Sequence, residues 1–555
     1  MHKKADKPLI SKEGFTLPKI TLPAILPTEV STLTALLHSV IEAHNASNTK
    51  ALEYINHLIE QFILARRRMF GTSSEQTSGQ GQLFNEAEVL AEGTTEAQDL
   101  AVIPELPAPK DKPKDKPKDK PRGKRAPLPA TLERVDVIHD VPEAARTCSC
   151  GTPMVAIGSD ISEQLDIVPM QIRVLRHIRL RYGCPTSTHA PVTAKLPPQP
   201  LPKTNASADF LAMLVVVKFV DGLPLVRVSK VLDRHGVPVP DQTLGRWVIA
   251  VGKLLQPLLN LARDALLEGK LLHIDETVLQ VLKEKDKAAT SNSYMWVQTG
   301  GPRGKPVVIF DYDPSRSAEV PVRLLHDYQG YLMADGYGGY NKLANTEGIE
   351  RLACWAHVRR RFVEAARVQP KGKRGLADEA VKLIGVLYRI ERDYKDATDE
   401  ARFLARQSLS VPALETLRAW MEKTLPGVPP KNALGTALSY MHDQWSMLVR
   451  YPERGDLPID NNRCENAIRP FVIGRKSWLF NCTPAGAKAS AVIYSLVETA
   501  KANGLEPYTW LRQVLRDLPA AQTVEEVEAL LPWNIKAARD AGLALTAPVE
   551  LMTAV

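Results

Sequence analysis

Two short apolar runs in this chain end on carboxylates. Leu271-Leu272-His273-Ile274 runs into Asp275-Glu276-Thr277, and Tyr331-Leu332-Met333-Ala334 runs into Asp335-Gly336-Tyr337. Such runs, bounded by acidic residues or turn formers, read as short strands, so Asp275 and Asp335 are each expected just past a strand's end. A third acid, Glu465, follows Asp460-Asn461-Asn462 at the head of a segment with helical spacing. Three carboxylates suit the hard, oxygen-seeking ions Mg²⁺ or Mn²⁺, which are normally held by one or two carboxylates plus substrate phosphate oxygens. Two such ions about 3.5 to 4 Å apart would activate the attacking oxygen and stabilise the leaving one in an in-line displacement at phosphorus. Water as nucleophile cuts a strand, and the 3′-hydroxyl so released, used in turn, joins it to another. A single Asp at a strand end is more often a turn or cap residue; three in this arrangement favour the metal site.

The elements that must position these acids can be read around them. After residue 270, five short apolar segments, Leu271 to Ile274, Tyr294 to Thr299, Pro306 to Tyr312, Tyr331 to Ala334 and Arg351 to Cys354, are separated by turns. The first three read as a meander and the later two precede helical runs, which suits a ribonuclease H-like α/β sheet. Asp335 and Glu465 are 130 residues apart, and the helical pattern of residues 364–455 predicts a helical insertion filling that gap. Arg359 and Arg360 follow the fifth strand, and Arg469, Arg475 and Lys476 follow Glu465. Arg469, four residues on, shares the face of Glu465, where it either holds a scissile phosphate or orients the carboxylate. Cys354 and His357 stand one turn apart, a spacing open to metal binding or to a buried thiol beside a hydrogen-bonded histidine.

At 555 residues the chain exceeds the size at which single cores stop growing, so several domains are expected. A net charge of +8 favours a polyanionic partner. Much of that excess lies in residues 110–125, where nine Lys or Arg face three Asp. Six scattered cysteines do not make a disulfide scaffold. The amino-terminal segment lacks a signal-peptide core, and the most apolar run, Phe210 to Val217, is far too short to span a bilayer. The expectation is a cytoplasmic protein with no membrane partner.

Upstream of the core, residues 1–28 read as a flexible tail. Leu33, Leu37, Val40, Ile55, Leu58, Phe62 and Ala65 follow three-and-four spacing, whose phase slips through Asn45-Ala46-Ser47-Asn48. That predicts two helical pieces or a stuttered coiled coil, paired with a second copy or packed on the same chain. Arg66-Arg67-Arg68 closes the pattern, either as a solvated face or in contact with phosphate. Residues 73–130 read as a linker, its Lys-Pro repeat an extended spacer or a sliding contact for DNA. Cys148 and Cys150, with Cys184 and His189 or His177, outline a small β module. A zinc site wants two ligand pairs each enclosing two to four residues; the first pair here encloses one, so zinc and a metal-free module both remain open. Val228 to Arg234, a turn through His235-Gly236-Val237-Pro238-Val239-Pro240, then Asp241 to Trp247 resemble a helix-turn-helix capped by Asp241 or Thr243. A DNA reader would offer Gln242 and Arg246 to a groove; two simply packed helices are the alternative.

Taken together these residues resemble DDE transposases of the insertion-sequence-sixty-six family, the large TnpC-type protein. The resemblance runs from the amino-terminal helices to near residue 536. It rests on Arg66-Arg67-Arg68-Met69-Phe70-Gly71 with Ser73-Ser74-Glu75, Leu83-Phe84-Asn85-Glu86-Ala87-Glu88 and Ser162-Glu163-Gln164-Leu165-Asp166. It continues through Asp275-Glu276-Thr277, Asp335-Gly336-Tyr337, Cys354-Trp355-Ala356-His357, Asp460 to Pro470, Gly474-Arg475-Lys476 and Leu530-Leu531-Pro532-Trp533-Asn534. The resemblance implies a multidomain α/β protein: a leucine-zipper-like region (29–72), a zinc-finger-like module (131–192), a helix-turn-helix region (193–269), a ribonuclease H-like core (270–500) and a small carboxy-terminal domain (501–555). It places the acidic triad on Asp275, Asp335 and Glu465. In the zinc module the usual second Cys-x-x-Cys pair is reduced to Cys184, followed by Pro185, Thr186 and Ser187. The implied activity is Mg²⁺-dependent cleavage and strand transfer at the terminal inverted repeats of the element, with double-stranded DNA as partner. A homodimer or higher oligomer on DNA, nucleoid association when bound, and small accessory proteins of the same element go with it. A repressor or architectural protein with an unused catalytic fold, and a structure-specific nuclease, are the competing readings.

Overall fold

The computed structural model describes residues 29–70, 172–178, 181–182, 192–193, 197–344, 346–368 and 375–542. They fall into two compact units, one of residues 97–195 and one comprising the remainder. In the smaller unit, β1 (Arg181–Tyr182) pairs antiparallel with β2 (Val192–Thr193). The proposed zinc ligands Cys148, Cys150, Cys184 and His189 lie outside the described residues.

The larger unit opens with α1 (Val30–Phe70), a single helix of 41 residues. Of the two expectations at Asn45 to Asn48, two helical pieces are not seen and a stutter within one helix stays open: the helix carries on through the polar turn because no Pro or Gly interrupts it. Leu33, Leu37, Ile41, Leu52, Ile55, Ile59 and Phe62 are exposed along it. Next come α2 (Ala208–Phe219), α3 (Leu225–Arg234), α4 (Asp241–Leu254) and α5 (Gln256–Leu267). The turn between α3 and α4 is held by Ser229 Oγ, which donates to the Val239 carbonyl at 2.6 Å. Neither Asp241 nor Thr243 occupies the cap of α4. Pro240 does, its fixed φ leading the chain into the helix, while Asp241 Oδ1 accepts the Gln242 N–H at 2.9 Å.

The sheet consists of β3 (Leu271–Gln280), β4 (Asn292–Gly300), β5 (Val307–Asp313), β6 (Gly330–Ala334) and β7 (Ile349–Ala353), in the order β5-β4-β3-β6-β7. β3, β4 and β5 form the expected antiparallel meander, and β6 and β7 run parallel to β3. This is an open, ribonuclease H-like sheet. The short helices α6 (Glu319–Leu324) and α7 (Asn341–Ala344) flank β6.

Beyond β7, α8 (Trp355–Arg367) leads into the helical insertion α9 (Leu376–Asp393), α10 (Asp399–Ala405), α11 (Val411–Thr424) and α12 (Ala433–Leu448). Trp355, Val358, Phe362, Ile384, Leu387, Leu417, Met421, Leu438 and Met441 bury their side chains together, making the insertion continuous with the core under β7. Arg406, 1% exposed, pairs with Glu391 through two nitrogens at 2.9 and 2.6 Å and donates to the carbonyls of Tyr451 and Leu457. It thereby ties the insertion to the strand of chain that returns to the sheet. At the start of α12, Glu60 of α1 accepts the Ala433 N–H at 3.0 Å, a carboxylate favoured at a helix amino terminus.

α13 (Asn462–Trp478) crosses β3 and β4, and α14 (Pro484–Ala502) lies along β5. The terminal helices α15 (Pro507–Asp517), α16 (Val524–Glu528) and α17 (Pro532–Asp540) follow, α15 packing on α2, where Asp209 pairs with Arg512 and Arg516. β5 is an edge strand, and its outward backbone groups need partners. α14 supplies them at one-turn intervals: Ser495 Oγ takes the Phe310 N–H at 2.7 Å, Thr499 Oγ1 takes the Val308 N–H and donates to its carbonyl at 3.0 Å, and Asn503 Nδ2 donates to the Pro306 carbonyl. Because an orphaned buried amide costs about 1–3 kcal/mol, Thr499→Val, which keeps the shape and deletes the hydroxyl, should lose stability of that order. Thermal melts check this, with Ser495→Ala/Thr499→Val expected to fall further; an unchanged midpoint in the double variant would remove the edge-closing role.

Candidate active site

Asp275 does not sit past the end of its strand. β3 runs five residues beyond it, paired with β4 to Gln280, whereas β6 stops at Ala334. The last registered pair of β3 and β6 is His273 with Met333, so Asp275 and Asp335 stand two residues on, level with each other where the parallel strands part. The apolar pattern ends at Ile274, but the antiparallel ladder on the other side carries a polar sequence further. The parting of β3 from β6, rather than a strand end, exposes the two acids to each other.

The surroundings of Asp275 are dry. It is 6% exposed; Oδ1 accepts the Glu276 N–H at 2.8 Å, and Oδ2 is buried with no hydrogen-bond partner. Burial, then the charges of Glu276 and Asp335, hold its carboxyl well above the usual range. Asp335 Oδ1 accepts the Tyr337 N–H at 2.9 Å in a tight turn. Gly336 lets Tyr440 of the insertion approach: a Cβ there would lie 2.3 Å from the Tyr440 ring, and the Gly336 N–H donates to its hydroxyl at 3.0 Å.

Glu276 is a third member of this group, and sequence pattern assigned it no role. Arg316 Nε donates to its Oε1 at 2.7 Å, and Tyr340 donates its hydroxyl to Oε2. The Arg316 guanidinium lies 4.0 Å over the Tyr337 ring. Burial and Asp335 still push the Glu276 carboxyl up, against the pull of Arg316 and Tyr340. Arg316 and Tyr340 arrive from turns and short segments with no pattern that would mark them, and the helical pattern around Tyr440 does not single it out; the adjacency of two acids in Asp275-Glu276 was the available signal.

Glu465 is brought in by a buried hub at the entrance to α13. Asn461 is fully buried; its Nδ2 donates to the Ile274 carbonyl at 3.1 Å and its backbone N–H to Cys354 Sγ at 3.2 Å. Its Oδ1 lies 3.0 Å from His273 Nδ1, so Nδ1 carries the proton. Burial, reinforced by Arg463, lowers the His273 pKa to about 3 and keeps it neutral. One turn further along α13, Glu465 is 1% exposed, with Oε1 3.8 Å from His357 Nδ1. Cys464 next to it donates to the Val297 carbonyl, opposite Asp275, and its thiol is pushed up by burial and then by Asp275 and Glu465. The structure therefore groups Asp275, Glu276 and Asp335 directly, and sets Glu465 on the adjoining helix against His357 and Cys354.

Of the expected DNA contacts, Gln242 and Arg246 are exposed one turn apart on α4. Arg359 and Arg360 are half-buried on α8, Arg469 is half-buried on α13, and Lys476 is exposed. Arg475 donates to Thr277 Oγ1 at 3.3 Å, two residues from Asp275.

The donor set fits a hard divalent cation: all-oxygen ligands, mutual repulsion, and a buried Asp275 oxygen with no hydrogen-bond partner. An open sheet of this order with carboxyls where its parallel strands part defines the ribonuclease H-like class of metal-dependent nucleic-acid enzymes. Residues 203–489 match the Transposase IS66 family, and residues 495–533 the IS66 C-terminal element. Residues 145–186 match the zinc-finger binding domain of transposase IS66, and residues 57–137 the Transposase C of IS166 homeodomain. The chain belongs to the IS66 family of transposases. It is similar to the uncharacterized proteins y4jD and y4qI of Sinorhizobium fredii, at 33% and 31% identity over 74% of this chain and 82% and 78% of theirs. A third from that organism, y4hP, is 28% identical over 76% of this chain and 79% of its own. No described helix is long and apolar enough to cross a membrane.

A carboxyl whose folded pKa lies above its unfolded one destabilises the fold increasingly as pH rises from the ordinary carboxylate range towards the folded value. Asp275 is such a group. In chelator at neutral pH, Asp275→Asn should therefore melt above the parent, and the gap should close as pH falls through about 4. Thermal shift across pH checks it; a variant less stable than the parent at neutral pH would show that the charge is already compensated.

Proposed function

We propose that Asp275, Asp335 and Glu465 together hold two Mg²⁺ or Mn²⁺ ions, and that this transposase uses them to cut at the terminal inverted repeats of its element and join the freed ends to target DNA. The observation that carries the reading is the bare, buried Oδ2 of Asp275, level with Asp335 where β3 and β6 part. Bound there, the ions would activate the attacking oxygen and stabilise the leaving one at phosphorus. The chain's own residues do the rest. Asn461 and His273 fix the entrance of α13 and so the position of Glu465. Arg316 and Tyr340 occupy both oxygens of Glu276, which leaves Glu276 as a buried neighbour that sharpens the negative field rather than as a ligand. Arg469, Arg475 and Lys476 on α13 and Arg359 and Arg360 on α8 flank the acids, where cations hold and orient phosphates. Gln242 and Arg246 on α4 face outward as a groove-reading pair would.

For zinc held by Cys148, Cys150, Cys184 and His189, the zinc-finger match over residues 145–186 supports the module and covers the three cysteines, while His189 lies beyond it. The exposed apolar seam of α1 supports a homodimer through paired helices. With double-stranded DNA as its partner, the protein would work in the cytoplasm, on the nucleoid when bound, with small proteins of the same element alongside.

The test is an assay of the purified chain on end-containing DNA with Mg²⁺. Asp275→Ala, Asp335→Ala and Glu465→Ala should each drop cleavage and joining to background while end binding persists; full activity in any one removes that residue from the triad. Cleavage without joined products in the parent would instead mark a nuclease. Gln242→Ala and Arg246→Ala should each weaken specific end binding by about 1–3 kcal/mol, read by competition against unrelated DNA. Equal loss on both DNAs would reassign them to backbone contact.

A further inference from the structure

Cys354, His357 and Glu465 form a cluster separate in its chemistry from the carboxyls around Asp275. Each offers one ligand atom, and the sulfur, the ring nitrogen and the carboxylate oxygen lie within 4.8 Å of one another. Donors around a tetrahedral zinc stand about 3.5 Å apart, given bonds of about 2.0 to 2.3 Å, so a contraction of roughly an ångström would close the set. Two of the three are preset. Cys354 caps α8 and His357 lies on its first turn, while the Trp355 N–H on the Ile459 carbonyl and the Asn461 N–H on Cys354 Sγ pin that helix start to the chain entering α13. Among the described contacts, His357 Nδ1 has no hydrogen-bond partner and faces Glu465 Oε1 at 3.8 Å. The cysteine and glutamate are each 1% exposed, whereas the His357 side chain is 18% exposed, which leaves entry past the imidazole and room for water as a fourth ligand.

We propose that Cys354, His357 and Glu465 are a zinc-class site whose occupation withdraws Glu465 from the acidic group and silences the enzyme. The donors decide the ion: thiolate and imidazole select zinc-class metals over Mg²⁺, which prefers an all-oxygen cage. Coordination releases the Cys354 thiol proton to solvent. A carboxylate oxygen held by zinc is then shared with, or lost to, the catalytic ions. The silencing rests on the catalytic role of Glu465; the existence of the site does not.

Cobalt(II) reports thiolate ligation by a near-ultraviolet charge-transfer band. Titrated into the full chain without Mg²⁺, Co²⁺ should give a band of which one component disappears in Cys354→Ser and remains in Cys148→Ser. His357→Gln, at a partly exposed position and so a safe second variant should Cys354→Ser melt early, should weaken that component's cobalt affinity by about tenfold or more. A Cys354→Ser spectrum superposing on the parent, or an affinity unchanged in His357→Gln, overturns the site. In the end-cleavage assay at fixed Mg²⁺, Zn²⁺ should inhibit the parent, and Cys354→Ser should need about tenfold more zinc to halve its own zinc-free rate. Equal zinc sensitivity overturns the silencing even with the band present. Cleavage surviving Glu465→Ala would instead fail the catalytic reading, leaving the cobalt result standing by itself.

Discussion

The structure is organised around like charges kept close together in a dry place. Asp275, Glu276 and Asp335 meet where two parallel strands part, and burial together with mutual repulsion pushes Asp275 and Glu276 towards the neutral form. No fold adopts this arrangement for stability, since uncompensated buried charge is among the costliest features a protein can carry. The surrounding residues limit that cost without removing it. Arg316 and Tyr340 satisfy Glu276, while one buried oxygen of Asp275 has no hydrogen-bond partner. The result is a buried acidic group that costs the fold stability, the kind of perturbed cluster that gathers at functional sites.

Holding such a group needs rigid supports from distant parts of the chain. Asn461 joins β3, the cap of α8 and the entrance to α13 through three hydrogen bonds, two of them to the partners His273 and Cys354. The insertion contributes in the same way: Tyr440 reaches the turn after Asp335, and the buried Arg406 secures the chain that leads back to Asp460. The inserted helices are thus part of the site's scaffold as well as an appendage to the sheet.

The strands were readable because each begins as a short apolar run, and four of the five lie close to their expected limits. β3 is the instructive exception. Its second half, Glu276 to Gln280, opens on polar residues yet stays in the sheet because β4 pairs with it throughout, and pairing partners are invisible to local pattern. In α1 the phase slip proved to be no break in the helix, for a related reason: polar residues interrupt a seam without interrupting a helix. Asp335 and Glu465 could be picked out by their motifs. The hub of His273, Asn461 and Cys354 could not, because its members lie up to 188 residues apart and each, taken alone, looks like an ordinary buried side chain. Of the small cysteine-bearing module only short stretches, among them the pair β1 and β2, are described, and Cys148, Cys150, Cys184 and His189 lie outside them.

The comb of hydroxyls on α14 bears on how the protein is made. The Val308 amide and the Thr499 hydroxyl that receives it are 191 residues apart, so at ribosomal rates the outer strand waits on the order of ten to forty seconds for its cover. During that interval a bare ladder faces solvent, open to pairing with a neighbouring nascent copy. A chain ending before Ser495 lacks the side chains that occupy the outer edge of β5, and that edge is then open to pairing with another strand.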